Sequence, residues 1–283
     1  MNKSKKNIIN WISEVNNDNN VFFILGPCVI ESEAHTLKVA EFIKRLSDKL
    51  KFNFIFKSSF DKANRTSVSS YRGPGFKAGL KILAKVKELF NIPVITDVHE
   101  CFQVPLVAQV ADVIQVPAFL CRQTDLLIAA GESKKPVHVK KGQFVSPENM
   151  EHVIKKIEST GNKNIWICER GFSFGYNNLV VDYRNFPIMK KFNKPIIFDV
   201  THSVQRPSGL GGTTGGDRCY VPALASAAIV QKIAGIFIEV HDNPEHALSD
   251  GPNSVRLSQL EELLKYIINL DKWVKDNKIP TCN

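Results

Sequence analysis

The sequence predicts a single (β/α)8 barrel, a TIM-type fold, with a short N-terminal extension. Eight short, β-rich apolar runs alternate with longer stretches of helical spacing. The runs are apolar almost throughout, as strands buried on both faces are. The 283 residues suit one such barrel of about 250 residues. A doubly wound sheet is the alternative architecture. It would leave edge strands, and none of the eight runs reads as a blunted edge.

In chain order the expected strands are VFFIL (21–25), FNFIFK (52–57), PVITDV (93–98), DVIQVP (112–117), PVHVKK (136–141), IWICER (165–170), PIIFDV (195–200) and GIFIEV (235–240). Helical patterns fill the intervals. HTLKVAEFIKRLSDKL (35–50) places Leu37, Ala40, Phe42, Ile43, Leu46 and Leu50 near helical spacing, and GLKILAKVKELF (79–90) and ALASAAIVQKIA (223–234) behave likewise. Ser146 followed by Pro147 reads as an N-cap and first helical residue. Residues 1–20 are polar, Asn-rich and read as an extension. The barrel domain spans 21–275, and 276–283 form a tail. The glycine-rich stretch RPSGLGGTTGGDR (206–218) interrupts the pattern after the seventh strand. It is either a plain connection or a lid that closes over a site.

Hydrophobic residues make up 43% of the chain and charged residues 23%, enough for a full core and a soluble surface. No apolar run approaches the ~18 residues of a membrane span, and the polar N-terminus lacks the apolar core of a secretion signal. A cytoplasmic protein is expected, with no membrane partner. The net charge is +9, which suits a basic soluble surface, a nucleic-acid binder or a protein for anionic substrates. The six cysteines contain no C-x-x-C pair, which argues against a zinc ribbon or finger, and a disulfide framework is not expected in the cytoplasm.

Barrel active sites stand at the C-terminal ends of the strands. Lys57, Lys62, Arg65, Arg122, Lys140 and Arg170 follow strands two, four, five and six. Lys140 and Arg170 close apolar strands, where an unpaired charge is costly to bury. Cations converging on a mouth suit phosphorylated ligands. Charge placed at strand ends, and not on a tail, speaks against nucleic acid. Strands three and four add Asp97, His99, Glu100 and Gln115. Strands one, seven and eight contribute Cys28, Asp199, His202, Glu239 and His241, with Asp250 in the following loop. Strand eight closes beside strand one, so Cys28, His202, Glu239 and Asp250 have the means to converge as a mixed S/N/O site for Zn²⁺, Fe²⁺ or Mn²⁺. A buried, inert thiol is the other reading of Cys28.

KSSFDKANRTSVSSYRGPG (57–75), PVITDVHE (93–100), DVIQVPAFLCRQTDLL (112–127), VKKGQFVSPENM (139–150), FDVTHSVQ (198–205) and FIEVHDNPEHALSDGPNS (237–254) are long, specific motifs. Over about residues 20–270 they resemble the 3-deoxy-D-manno-octulosonate 8-phosphate synthases, also called 2-dehydro-3-deoxyphosphooctonate aldolases. The resemblance implies a (β/α)8 transferase, usually a homotetramer. Such enzymes condense phosphoenolpyruvate with D-arabinose 5-phosphate and release phosphate, making the eight-carbon acid of lipopolysaccharide. It implies that Lys57, Lys62, Lys140 and Arg170 hold phosphoenolpyruvate. Asn64, Arg65 and Asp97 would serve the sugar phosphate, Gln115 is a further expected substrate-binding residue, and Arg122 would reach into a neighbouring subunit's site to bind the sugar phosphate. The seven-carbon synthases, which use erythrose 4-phosphate, carry Lys-Pro-Arg in the second loop. Here that loop reads Lys62-Ala63-Asn64-Arg65-Thr66, the octulosonate pattern. Within the family, Cys at position 28 implies the branch that holds a divalent metal with Cys28, His202, Glu239 and Asp250, and Ser249-Asp250-Gly251 fits that branch. Lys57, Lys140, Arg170, His202 and Asp250 are the expected catalytic residues.

Overall fold

The computed structural model describes residues 11–207, 215–278 and 280. The eight expected strands form β1 (Phe22–Gly26), β2 (Phe54–Lys57), β3 (Val94–Asp97), β4 (Val113–Val116), β5 (Val137–Lys140), β6 (Ile165–Glu169), β7 (Ile196–Asp199) and β8 (Gly235–His241). They pair in parallel in chain order, and β1 pairs with β8 to close the barrel. At the seam Gly26 stands opposite Glu239, so the strand leading to Cys28 lies beside the strand carrying Glu239.

The alternation of side chains along each strand sorts the core into two. Outward residues such as Val137 and Val139 of β5, or Ile165 and Ile167 of β6, pack in one cluster with the helices. Inward residues Phe22, Ile24, Ile55, Ile95, Val113, Trp166, Cys168, Ile197 and Phe237 fill the barrel's axis. The near-continuous apolar runs hide a change of polarity on the inner face. Towards the C-terminal ends the inward positions become Lys57, Asp97, Gln115, Lys140, Asp199 and Glu239, all buried.

Helices α1 (Glu33–Leu50), α2 (Phe76–Phe90), α3 (Val104–Val110), α4 (Thr124–Glu132), α5 (Met150–Glu158), α6 (Asn185–Lys190), α7 (Val221–Ile229) and α8 (Leu257–Asp276) follow the eight strands. Helix α1 starts two residues before the apolar periodicity suggests, because the Ser32 side chain accepts the His35 amide and caps it. Helix α5 does not start at Pro147 with a Ser146 cap. Tighter bonds three residues apart, Asn149 N to Ser146 O and Met150 N to Pro147 O, wind the chain first, and the α-helix begins at Met150. Helix α7 ends at Ile229, short of Ala234, and residues up to the strand turn back into β8.

The N-terminal extension does more than trail from the barrel. Ile12 is buried in the inner cluster, with Trp11 and Val15 packed on it, and the Trp11 and Phe22 rings lie 5.4 Å apart. Asn17 bonds both Lys194 O and Ile196 N, tying the segment to the start of β7. These residues cover the end of the barrel opposite the mouth. The glycine-rich stretch lies largely outside the described residues. Its flanks, Gln205–Arg206 and Gly215–Gly216, pair antiparallel above β7. Among the described residues no helix is long and apolar enough to cross a membrane, and Cys28, Cys101, Cys121, Cys168 and Cys219 are all free thiols.

Candidate active site

The C-terminal mouth of the barrel opens into a cavity lined by Lys57, Lys62, Asn64, Arg65, Asp97, Gln115, Lys140, Arg170, His202 and Asp250. These are ten of the residues singled out from sequence, brought from seven strand ends or the loops after them. Arg122 is not among them. It is exposed on the turn after β4, in a separate depression with Phe144, His152 and Lys156.

Asp199 organises the centre of the mouth. One of its oxygens accepts from Lys140 Nζ, and from His202 Nδ1 at 2.6 Å. Its other oxygen accepts the His202 amide at 2.9 Å, because Asp199 caps the one-turn helix Val200–Ser203. Burial opposes its ionisation, but His202 and Lys140 outweigh burial and hold the carboxyl well below the usual range. Lys140 Nζ also sits 3.3 Å from the centroid of the Phe237 ring. The bond at Nδ1 aims His202 Nε2 at two further carboxylates, 3.5 Å from Glu239 and 3.8 Å from Asp250.

Cys28, Glu239 and Asp250 form the wall beneath. Their ligand atoms all lie within 4.8 Å of one another, and Cys28 Sγ is 3.2 Å from Asp250 Oδ2. Lys57 Nζ bridges the group, bonding Cys28 O at 2.8 Å and Glu239 Oε1 at 3.1 Å. Glu239 Oε2 is buried without a partner. Burial first, then the Asp250 and Glu239 carboxylates, push the Cys28 thiol well above its ordinary value. A divalent cation would reverse that push, since it favours the thiolate and would take up the unused Glu239 oxygen. One thiol, one imidazole and two carboxylates are a four-ligand donor set for a borderline transition metal. The residues therefore fit such a metal. Asp199, bonded to the far nitrogen of His202, stands where a carboxylate would orient that imidazole as a ligand.

The cationic side is prepared for anions. Arg170 is buried. Its Nη2 bonds Gln205 Oε1 at 2.9 Å, while Nη1 has no partner. Gln205 Nε2 reaches Asp250 Oδ1 at 3.3 Å, so one amide joins the arginine to the acidic wall. Burial lowers the Lys62 ammonium's affinity for its proton, but Cys28, Glu239, Asp250 and Asp97 raise it well above the ordinary value. Asp97 accepts from Ser59 Oγ at 2.5 Å and pairs with His99 at 3.1 Å. Burial opposes its charge, yet His99, Lys57 and Lys62 keep it ionised far below the usual range. Gln115 Oε1 lies 3.2 Å from His138 Nδ1, which fixes the amide.

The profile of the DAHP synthetase I family matches residues 10–276. The chain belongs to that family. The match thus runs from the N-terminal plug to the end of α8. Among curated relatives, 2-dehydro-3-deoxyphosphooctonate aldolase of Dichelobacter nodosus is 55% identical over 266 residues, 94% of this chain and 96% of the relative. The proteins of the same name from Fusobacterium nucleatum and Geobacter sulfurreducens are 55% and 53% identical, covering 95% and 93% of this chain and 99% and 96% of their own.

Some working parts escape a reading of strand ends. Gln205, Gln143, Ser59 and Ser249 are uncharged and lie beyond the barrel strands. Asp199 stands at a strand end, and its spacing of three residues from His202 is the signal for a capped turn with a paired imidazole. Lys141, beside Lys140, faces the other way. It is buried against Glu169 at 3.4 Å and over the Phe172 ring at 3.6 Å.

Proposed function

We propose that this protein condenses phosphoenolpyruvate with D-arabinose 5-phosphate and water. The products are 3-deoxy-D-manno-octulosonate 8-phosphate, a lipopolysaccharide precursor, and inorganic phosphate. The observation that carries this is the mouth itself, where the ring of Lys57, Lys62, Arg65, Lys140 and Arg170 faces the wall of Cys28, Glu239 and Asp250 with His202 Nε2 beside it, in a chain that shares 53–56% identity with relatives of that name.

The charges divide the cavity. Lys57, Lys62, Lys140 and the open nitrogen of Arg170 neutralise the carboxylate and phosphate of phosphoenolpyruvate and fix its plane. Arg65 and Asn64, at the rim, take the phosphate and a hydroxyl of the sugar, while Asp97 and Gln115 accept and donate to its other hydroxyls. C3 of the enol ester attacks the aldehyde carbon and water adds to C2. The tetrahedral phosphate hemiketal then expels phosphate, so that all atoms of both substrates and the water are accounted for. Lys140 and Arg170 lie where negative charge develops and departs.

In this reading Cys28, His202, Glu239 and Asp250 hold a divalent cation, which supplies Lewis acidity when bound. Asp199 keeps the His202 Nε2 lone pair directed at the wall, and Lys140 shares that carboxylate, so the acidic wall and the anion subsite are joined through one residue. The protein works in the cytoplasm, where Cys28 stays reduced. It assembles as a homotetramer in which exposed Arg122 serves the sugar phosphate of the next subunit.

Phosphate release, measured with arabinose 5-phosphate and erythrose 4-phosphate in turn, tests the assignment. Release with the five-carbon sugar is expected. Turnover of only the four-carbon sugar would replace it with the seven-carbon reaction.

A further inference from the structure

His138 does not line the mouth cavity, yet it is fully buried just beneath it. It lies two residues before Lys140 on β5, so both side chains point into the barrel and the imidazole stands one layer below the lysine. Across the β4–β5 ladder it is the register partner of Gln115, and its Nδ1 is 3.2 Å from Gln115 Oε1. The ring also stacks on Phe237, with centroids 6.4 Å apart and planes 10° apart. Neighbouring strands thus hold both members of the pair.

These contacts place the ring's proton. An amide oxygen only accepts, so Nδ1 is the donor. Burial first, and then Lys140, hold the imidazole neutral. Its one proton is therefore on Nδ1, and Nε2, buried without a partner, carries a bare lone pair. The reversed amide would turn Nδ1 into an acceptor. It would leave an N–H at Nε2, buried with nothing to receive it, which is costly. With Oε1 held from below, Nε2 is the end of Gln115 left for the mouth that this side chain lines. Among the described residues that nitrogen makes no bond of its own.

We infer that His138 is a positioning residue, which locks the Gln115 amide so that the mouth meets its NH₂ group and not its carbonyl. Position 115 is thereby a donor only, and it selects an acceptor oxygen on the substrate. The inference rests on the reaction proposed above. There it divides the work on the sugar hydroxyls: Gln115 donates to one, and the Asp97 carboxylate accepts from another.

Two variants and two measurements test this. His138→Leu keeps bulk without a donor. His138→Asn places an amide nitrogen near the position of the imidazole Nδ1. Both identify the ring's signals, by their loss, in spectra of the ¹⁵N-histidine-labelled protein. The wild-type ring is expected to be protonated at Nδ1 and bare at Nε2. A proton on Nε2 would overturn the inference whatever the protein catalyses. In steady-state kinetics His138→Leu is expected to lower kcat/KM for arabinose 5-phosphate about 5- to 10-fold, the effect of one misplaced hydrogen bond. His138→Asn should recover it to within about twofold. In a Gln115→Ala background the exchange of His138 for Leu should cost nothing further, because the two residues act as one unit. Thermal melts establish that each variant folds. Equal losses in the Leu and Asn variants, or an undiminished loss in the Gln115→Ala background, would reduce His138 to packing and overturn the inference. A wild type that releases no phosphate from the two substrates, with its proton on Nδ1, would overturn the reaction and leave the lock standing.

Discussion

Asp199 accepts from Lys140 and from His202 Nδ1 while its own charge is fully buried. Asp199→Asn removes the charge and keeps the shape. It is expected to weaken Mn²⁺ binding about 10- to 100-fold, the usual cost of losing the group that orients a ligand, as equilibrium dialysis would measure. Metal removal gives the companion result. Incubation with a strong chelator should abolish turnover and added Mn²⁺ should restore it. Full activity after chelation would refute the role given to Cys28. On the anion side, Arg170 presents a planar fork with one nitrogen bonded to Gln205 and the other open. Arg170→Lys retains charge but not the fork. The phosphoenolpyruvate KM is expected to rise roughly 10- to 100-fold, in line with the loss of a charge-assisted hydrogen bond, and steady-state kinetics would read it.

At the scale of elements, β1 and β2 come together with almost no space between their ends. A Cβ built on Gly26 would lie 1.9 Å from Lys57 O. That approach brings Cys28 O within reach of Lys57 Nζ. Gly26→Ala must push the two strands apart, and it is expected to cost about 3 kcal/mol or more, seen as a lower chemical-denaturation midpoint with diminished metal binding. The eight strands were legible because each is a short apolar run bounded by breakers. Lys57, Lys140 and Arg170 were legible because a cation that ends such a run has few places to go. Gln205 and Ser249 were not, since nothing local distinguishes a loop amide or hydroxyl that meets Asp250 or Cys28 from one in water. The start of α5 misled for a related reason: Ser146-Pro147 is a good start signal, but it opens a tighter turn whose outcome depends on packing. Trp11, Ile12 and Val15 were hidden by the polar residues around them, and only the closed barrel offers them a surface.

For the whole molecule, the carboxyls are held in their ionised form well beyond the mouth. Burial works against Asp242, but its bond to Lys38 and the charges of His35, Lys38 and His241 outweigh burial, holding it at about 2 against the ordinary 3.8. Asp97, Asp199, Glu239 and Asp250 are depressed as well. A carboxyl depressed by folding adds stability in full above its unfolded value and loses it as pH falls through the folded value. The melting temperature should therefore begin to fall below about pH 6.5, where the unfolded chain protonates His35 and His138 and burial resists it, and fall more steeply between about 4 and 2 as the depressed carboxyls are lost. Asp242→Asn should make that fall shallower in a calorimetric series.

The seam between β1 and β8 has a temporal meaning as well as a spatial one. Cys28 and Asp250 are 222 residues apart in the chain, and Gly26 meets Glu239 only when the last strand docks on the first. No partial barrel lacking β8 possesses the acidic wall, which needs Glu239 from β8 and Asp250 from the loop after it. Contacts of such long sequence separation form late and slowly. Once they form, any cation held there favours only the closed state and raises its stability by mass action. Under the proposed metal site, a bound cation would act as a latch on the final step of folding.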